Sequence, residues 1–370
     1  MRSLIFFTSC LLTISCRLIS VECNAQNLKK FYGASDFKTV SKIDSHVHIK
    51  SWKTAFAEQA KSIKMDFVNI AVHSDDSAEM HLRHETGFHQ QEQNPRQFTM
   101  IASFPLSGWD KAEWIPDTID YIDKVKSRGA RGLKVWKNIG MEFRDQDGTL
   151  IMIDHPKFRP IFDHIDQAGL VLIGHLGEPK NCWLPLEQMT VKNDRNYFER
   201  HPEYHMFLHP EMPTYEQQIA ARDKMLSQHN NLKFIGAHFG SIEWSVDELG
   251  RFLDRFPNAS VDTAARIGQL QYQSQMDREK VQAFMIRYQD RIVYGTDLTF
   301  APPVASEALF ASATQRWQRD WNYFCTDQSI TVPELDSPVM GLKLPRAVVD
   351  KLYYRNAKRL FPEETLPTKE

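Results

Sequence analysis

Eight short apolar runs recur along this chain, with amphipathic stretches between most of them, and few architectures accept that rhythm. The runs cover 40–48, 67–72, 98–104, 132–136, 171–175, 234–238, 259–262 and 292–297. Several are dense in Val, Ile and Leu without strict alternation, as parallel strands covered on both faces are. Helical periodicity marks 118–128, where Ile119, Ile122 and Val125 recur at threes, and also 158–169, 215–228, 246–256, 278–288 and 346–360. Strand then helix, repeated eight times, predicts an α/β fold of the (β/α)8 TIM-barrel type. No Pro/Gly/Ser-rich linker divides 26–370, so one domain is expected there. Two connections are long, 178–213 after the fifth strand and 300–344 after the eighth. Both are β-to-α loops and belong over the end where barrel enzymes build their sites.

A hydrophobic fraction of 42% across 370 residues is ample for a barrel core. The formal net charge of −2 offers no electrostatic basis for binding nucleic acid or an anionic membrane, which leaves a small molecule as the expected partner. At the N-terminus, Arg2 followed by an apolar stretch over 4–15 has the form of a signal peptide and is too short for a spanning helix. Cleavage after Ala25 would assign 1–25 to a leader and send the protein to the periplasm or outside the cell. Thr13-Ile14-Ser15-Cys16 also reads as an imperfect lipobox, with Cys16 as a lipid anchor. Of the five cysteines, Cys10, Cys16 and Cys23 fall in this leader. Cys182 and Cys325 remain, too few for a disulfide framework. No later run is long enough to span a membrane.

The strand ends carry the polar residues. His46 and His48 close the first run two positions apart, so on a strand they share a face. Lys134 lies in the fourth run, His175 ends the fifth, His238 the sixth and Asp297 the eighth. In a barrel these positions converge on one mouth. Each has an ordinary reading alone: a hydrogen-bonded core histidine, a helix N-cap for Asp297, an ion-pair partner for Lys134. Together, several imidazoles and a carboxylate match the ligand set of a zinc-like ion with an open position for water. Arg266, just past the seventh strand, is placed either to clamp an anion or to form a salt bridge. Trp136 and Glu178 follow strands 4 and 5 and are further candidates to contact substrate. His201, His205 and His209 recur every four residues in the first long loop, as solvated side chains or as one face of a helix.

The set Ile43-Asp44-Ser45-His46-Val47-His48, His175, Gly236-Ala237-His238-Phe239-Gly240 and Gly295-Thr296-Asp297 resembles the amidohydrolase superfamily, in its amidohydrolase 2 branch. The closing segment Tyr354-Arg355-Asn356-Ala357-Lys358-Arg359-Leu360-Phe361 is similar as well, and the likeness extends over residues 39–361. The resemblance implies a divalent metal held by His46, His48, His175 and Asp297, zinc first and manganese second, with one ion preferred to two. Lys134 would join only if carboxylated, bridging a second ion. Asp297 would move a proton between water and leaving group, and His238 would hydrogen-bond that water or an oxyanion. The implied activity is hydrolysis of an amide, ester or lactone of a small substrate. The same branch contains non-oxidative decarboxylases, carbon–carbon lyases that form the alternative. A third reading is a binding protein on an inactive barrel. Lys134 and Arg266 suit a carboxylate-bearing substrate under either catalytic reading, and self-association into a homo-oligomer stays open.

Overall fold

The computed structural model describes residues 30–301 and 306–362, so the leader and its possible lipid anchor lie outside the described residues. Nine strands form one parallel sheet. In chain order they are β1 Lys42–Ile49, β2 Met65–Ile70, β3 Phe98–Ala102, β4 Gly132–Val135, β5 Val171–Gly174, β6 Phe234–Gly236, β7 Ala259–Asp262, β8 Ile292–Val293 and β9 Leu298–Phe300. Neighbours pair in sequence from β1 to β8, and β9 returns to lie parallel to β1. The last two are pieces of one barrel position. Ser45 N donates to Tyr294 O at 2.8 Å and Asp297 N donates to His46 O at 2.8 Å, which carries the seam across the gap between β8 and β9. The result is the expected (β/α)8 barrel, closed on itself.

The eighth run was expected as an unbroken strand through Asp297, and here the structure differs. The strand stops at Val293, where Tyr294 N donates to Leu352 O at 2.9 Å, and Asp297 then takes φ 64°, in the left-handed region, before the chain rejoins the sheet at Leu298. Gly295 makes the approach possible: a Cβ there would sit 2.9 Å from the Cβ of His46. The sixth run likewise ends at Gly236 rather than His238, since His238 and Phe239 turn at φ 60° and 56°.

Helices cover the sheet: α1 Ala55–Lys61, α2 Ser77–Gln93, α3 Trp114–Ser127, α4 Arg159–Gln167, α5 Lys192–Arg200, α6 Tyr215–Gln228, α7 Val246–Arg255, α8 Ile267–Met276, α9 Arg278–Arg287 and α10 Ser306–Cys325. A last helical run follows from Arg346 to Leu360, interrupted by a π-helical segment at Lys351–Arg355. The connection expected over 300–344 therefore contains a helix of 20 residues. Its Trp317 and Trp321 are fully buried, and Trp317 Nε1 donates to Asp44 Oδ2 at 2.8 Å.

Side-chain alternation sorts each strand into two faces. Met65, Phe67, Leu133, Leu172 and Phe234 pack outward with the helices. Ile43, Val68, Ile70, Ile101, Val171, Ile173, Ile235 and Val293 fill the barrel interior, and Ala357 and Phe361 of the last helix pack against them. In β1, Ile43 joins this interior layer while Val47 and Ile49 pack outward. An odd-numbered and an even-numbered residue can share a face only across a bulge, and the β1–β2 register shifts between Asp44 and Val47. That shift turns His46 and His48 inward.

Two buried polar groups hold elements together. Lys42 Nζ donates to the carbonyls of Phe37, Val40 (2.6 Å) and Ile63 (2.8 Å), so all three ammonium hydrogens find acceptors. His84 of α2 accepts from Ser103 N at Nε2 (3.0 Å) and meets Tyr121 Oη of α3 at Nδ1 (2.7 Å). Because a backbone N–H needs an acceptor, His84 must be the neutral Nδ1–H tautomer. Burial lowers its pKa to about 4.

Replacing Lys42 by Met strands three buried carbonyls, and a loss of at least about 3 kcal/mol in urea unfolding is expected. For His84 the folded pKa lies below the unfolded value near 6.5. The unfolded chain therefore takes up the proton first, so the contribution is complete above pH 6.5 and is lost as pH falls toward 4. Unfolding titrations should show a decline of about 3 kcal/mol over that window, flattened in His84→Phe.

Candidate metal centre

The ends of β1, β6, β7 and β9 meet at one mouth of the barrel. Three ligand-type side chains, His46, His238 and Asp297, bring one donor atom each to within 4.8 Å of one another. Asp297 is positioned by its left-handed turn, and its carboxylate is 32% exposed, so it can meet a molecule arriving from outside. His48 Nε2 lies 3.0 Å and His46 Nε2 3.5 Å from the same Asp297 Oδ1. The His46 and His238 rings stack with centroids 5.1 Å apart.

Second partners fix the rings. His46 Nδ1 is 2.7 Å from Asp262 Oδ2, His48 Nδ1 is 2.7 Å from Ile70 O, and His238 Nδ1 is 2.9 Å from Ala264 O. Each partner is an acceptor, so each Nδ1 carries a hydrogen and each Nε2 is left to face the cluster. Asp262 does more than orient His46. Its Oδ1 accepts from His238 N at 2.7 Å and from Ala264 N at 3.1 Å. Asp44, one strand away, accepts from Thr296 N (2.9 Å), Thr296 Oγ1 (2.6 Å) and Trp317, bracing the turn that presents Asp297.

This donor set fits a divalent cation. Imidazoles whose far nitrogen donates to a carboxylate or carbonyl are the usual metal-ligating form. His48 Nε2 lies 3.0 Å from Asp297 Oδ1, a contact bridged by a proton on the nitrogen or, in its place, by a cation. Electrostatics agree. Burial, reinforced by the Lys134 charge, lowers the pKa of His46, and burial beside His175 holds His238 well below the usual range. Burial alone would raise Asp297, yet the His48 hydrogen bond and the neighbouring imidazoles hold its carboxyl well below the usual carboxylate range.

The remaining candidates fall in distinct places. Lys134 is buried with Nζ 3.5 Å from His46 Nε2, and burial lowers its pKa to about 8. His175 donates or accepts with His238 across 3.2 Å; since His238 Nε2 bears no hydrogen, His175 Nδ1 is the donor. His175 Nε2 is then bare, buried, without a hydrogen-bond partner among the described residues, and 3.7 Å from Glu178 Oε2. Glu178 also pairs with the buried ammonium of Lys137. A cavity of about 530 Å³ opens beside the cluster, and His175, Glu178, His238, Arg266 and Asp297 lie on its wall. Trp136 is not among the lining residues; the Lys137 ammonium sits over its ring instead, 5.6 Å from the centroid.

Sequence reasoning passed over three groups. Asp262 was legible as a strand-end carboxylate in register with the others. Lys137 lies three residues beyond Lys134. Helix α5 was hidden by its polarity, although it forms the outer wall of the cavity through Asn193, Asn196 and Tyr197. The loop histidines do not converge. His201 pairs with Glu203, while His205 and His209 meet the carbonyls of Leu184 and Pro202. Cys182 and Cys325 are both buried and free. No helix among the described residues is long and apolar enough to cross a membrane.

Comparison with known proteins bears on the fold and the family. Among solved structures, 2,6-dihydroxybenzoate decarboxylase complexed with 2,6-dihydroxybenzoate is similar at 14% identity and a TM-score of 0.51, covering 87% of this chain and 98% of that one. The 2,6-dihydroxybenzoate decarboxylase from Rhizobium has 14% identity over 87% and 98% of the two chains, with a TM-score of 0.49. The 4-oxalomesaconate hydratase from Rhodopseudomonas palustris has 14% identity over 87% and 95%, with a TM-score of 0.46. At such identity only the barrel is shared ground, and no curated protein matches. The amidohydrolase family model, in contrast, matches residues 43–362, from the first strand to the end of the last helix. The chain belongs to the amidohydrolase family.

Proposed function

We propose that the protein is an exported, metal-dependent hydrolase acting on an amide, ester or lactone bond of a small substrate. The observation that carries the reading is the shared orientation of three imidazoles. His46, His48 and His238 each commit Nδ1–H to a protein acceptor and turn Nε2 toward the mouth, where Asp297 Oδ1 faces His46 and His48 while His238 accepts from His175 Nδ1. His46, His48, Asp297 and His175, through its bare Nε2, would hold one divalent ion, with zinc the expected metal. The ion would polarise a carbonyl and bring the pKa of water toward neutrality.

The chain's own groups have separable tasks. Asp297 stays ionised at neutral pH, so its carboxylate can accept a proton at the cavity wall and return it to a leaving group. The oxyanion-donor role implied for His238 by resemblance would need a second proton on Nε2, which burial opposes; an acceptor role is favoured, as toward His175 Nδ1. Asp262 holds His46 by its ring and His238 by its backbone, and thereby keeps their Nε2 atoms in place. Export rests on the leader pattern of 1–25.

Metal analysis of the mature protein should find about one ion per chain, removable by chelation with loss of activity. Asp262→Asn should weaken metal affinity about 10- to 100-fold, read by competition with a chromophoric chelator. Asp297→Asn should reduce turnover by a factor of at least about 100 while the protein stays folded. Product analysis in H₂¹⁸O decides the reaction: label in the acid product supports hydrolysis. Release of CO₂ without label would replace this reading with a decarboxylase.

A further inference from the structure

We propose that Arg266 anchors a substrate carboxylate and that Asp194, on the loop after strand 5, is the positioning residue that holds it ready. The proposal rests on the reading above, because the anchor lies on the wall of the same cavity as Asp297. Arg266 is delivered by a strained turn: Ala265 takes φ 55° and α8 begins at Ile267. Its side chain is 13% exposed, so most of it is buried while part of it faces the cavity.

The guanidinium is incompletely engaged. NH1 donates to the carbonyl of Ala265 at 3.2 Å, and Nε has no acceptor among the described residues. Asp194 Oδ1 lies 3.9 Å from NH1, too far for a hydrogen bond but close enough for charge to act. Asp194 is held at that distance by donors on both of its oxygens. Oδ2 accepts from Asn181 Nδ2 at 2.8 Å and from Gln269 Nε2 at 2.9 Å, while Oδ1 accepts from Asn193 Nδ2 at 3.2 Å. Thr190 Oγ1 donates to Gln269 Oε1 at 3.0 Å, tying the same loop to α8. A carboxylate held in place by these three donors, and 3.9 Å from NH1, supplies a counter-charge without consuming the arginine's donors. The planar fork is left to meet a second carboxylate, for which it has the geometry.

Two of the other cavity charges are already paired within the protein. Glu178 is neutralised by Lys137. Lys192 is directed to Asp336 and to the carbonyl of Leu335. Asn193 and Asn196 add neutral polar groups on the outer wall, so a polar acid suits the cavity better than an apolar ester.

The test uses calorimetric titration of the metal-loaded mature protein with benzoate and with benzamide, its neutral counterpart. Benzoate should bind more tightly in the wild type. Arg266→Gln should weaken benzoate about 10- to 100-fold and leave benzamide unchanged. Asp194→Asn should weaken benzoate about 3- to 10-fold, again without affecting benzamide, and Asp194→Glu should recover part of the preference. Equal losses for both probes in Asp194→Asn would reduce Asp194 to a structural role and overturn its part. A benzoate preference that survives Arg266→Gln but disappears when the metal is stripped would place the carboxylate on the metal and overturn the anchor, leaving the metal reading intact. Absence of bound metal with an Arg266-dependent preference would do the reverse. Should Asp194→Asn fail to fold, Gln269→Leu, which removes one donor that fixes Asp194, carries the same comparison.

Discussion

One carboxylate ties the mouth of this barrel together. Asp262 sits at the end of β7, and its two oxygens reach the ring of His46 on β1 and the backbone of His238 beyond β6. Three strands distant in sequence are thereby fixed to a common point. The positive φ of His238 is tolerated because its amide and its ring are both held, the amide by Asp262 and the ring by Ala264 O. A carboxylate buried this deeply is costly unless its oxygens are satisfied. Here three donors satisfy it, and one of them, His46 Nδ1, has its hydrogen fixed on that nitrogen as a result.

Much of this was legible in the sequence, for identifiable reasons. The barrel was readable because buried parallel strands are continuous apolar runs, and that signal does not depend on distant contacts. His46, His48, His175, His238 and Asp297 were readable because a barrel turns strand ends into neighbours. What escaped depended on backbone conformation or on partners far along the chain. The strand break at Gly236 comes from left-handed residues and that at Val293 from a backbone hydrogen bond to Leu352, neither of which an apolar pattern can report. Helix α2 is rich in Glu, Gln and His, so its periodicity is faint. The division of labour among the histidines was hidden too, since it depends on which acceptor meets each Nδ1.

The strand-5 loop shows how a long connection becomes part of a site. Met141, Cys182, Met189, Phe198 and Met206 form a small apolar cluster of their own, so the loop packs on itself as well as on the barrel. Polar stitching through Asn181, Thr190 and Asp194 then joins it to α8. A loop with its own core can change its cavity-facing residues without disturbing the strands beneath it, which is how one barrel accommodates many substrates.

The bulge in β1 has a consequence of that kind for the whole strand. Below it, Ile43 answers to the packing of the barrel interior; above it, His46 and His48 answer to chemistry, though all lie on one continuous strand. Were the same residues to pair without the bulge, strict alternation from Ile43 would rotate both imidazoles into the helical layer; removal of the extra residue would instead keep them inward, two positions from Ile43. Which way the imidazoles point is thus decided by where the backbone absorbs one extra residue.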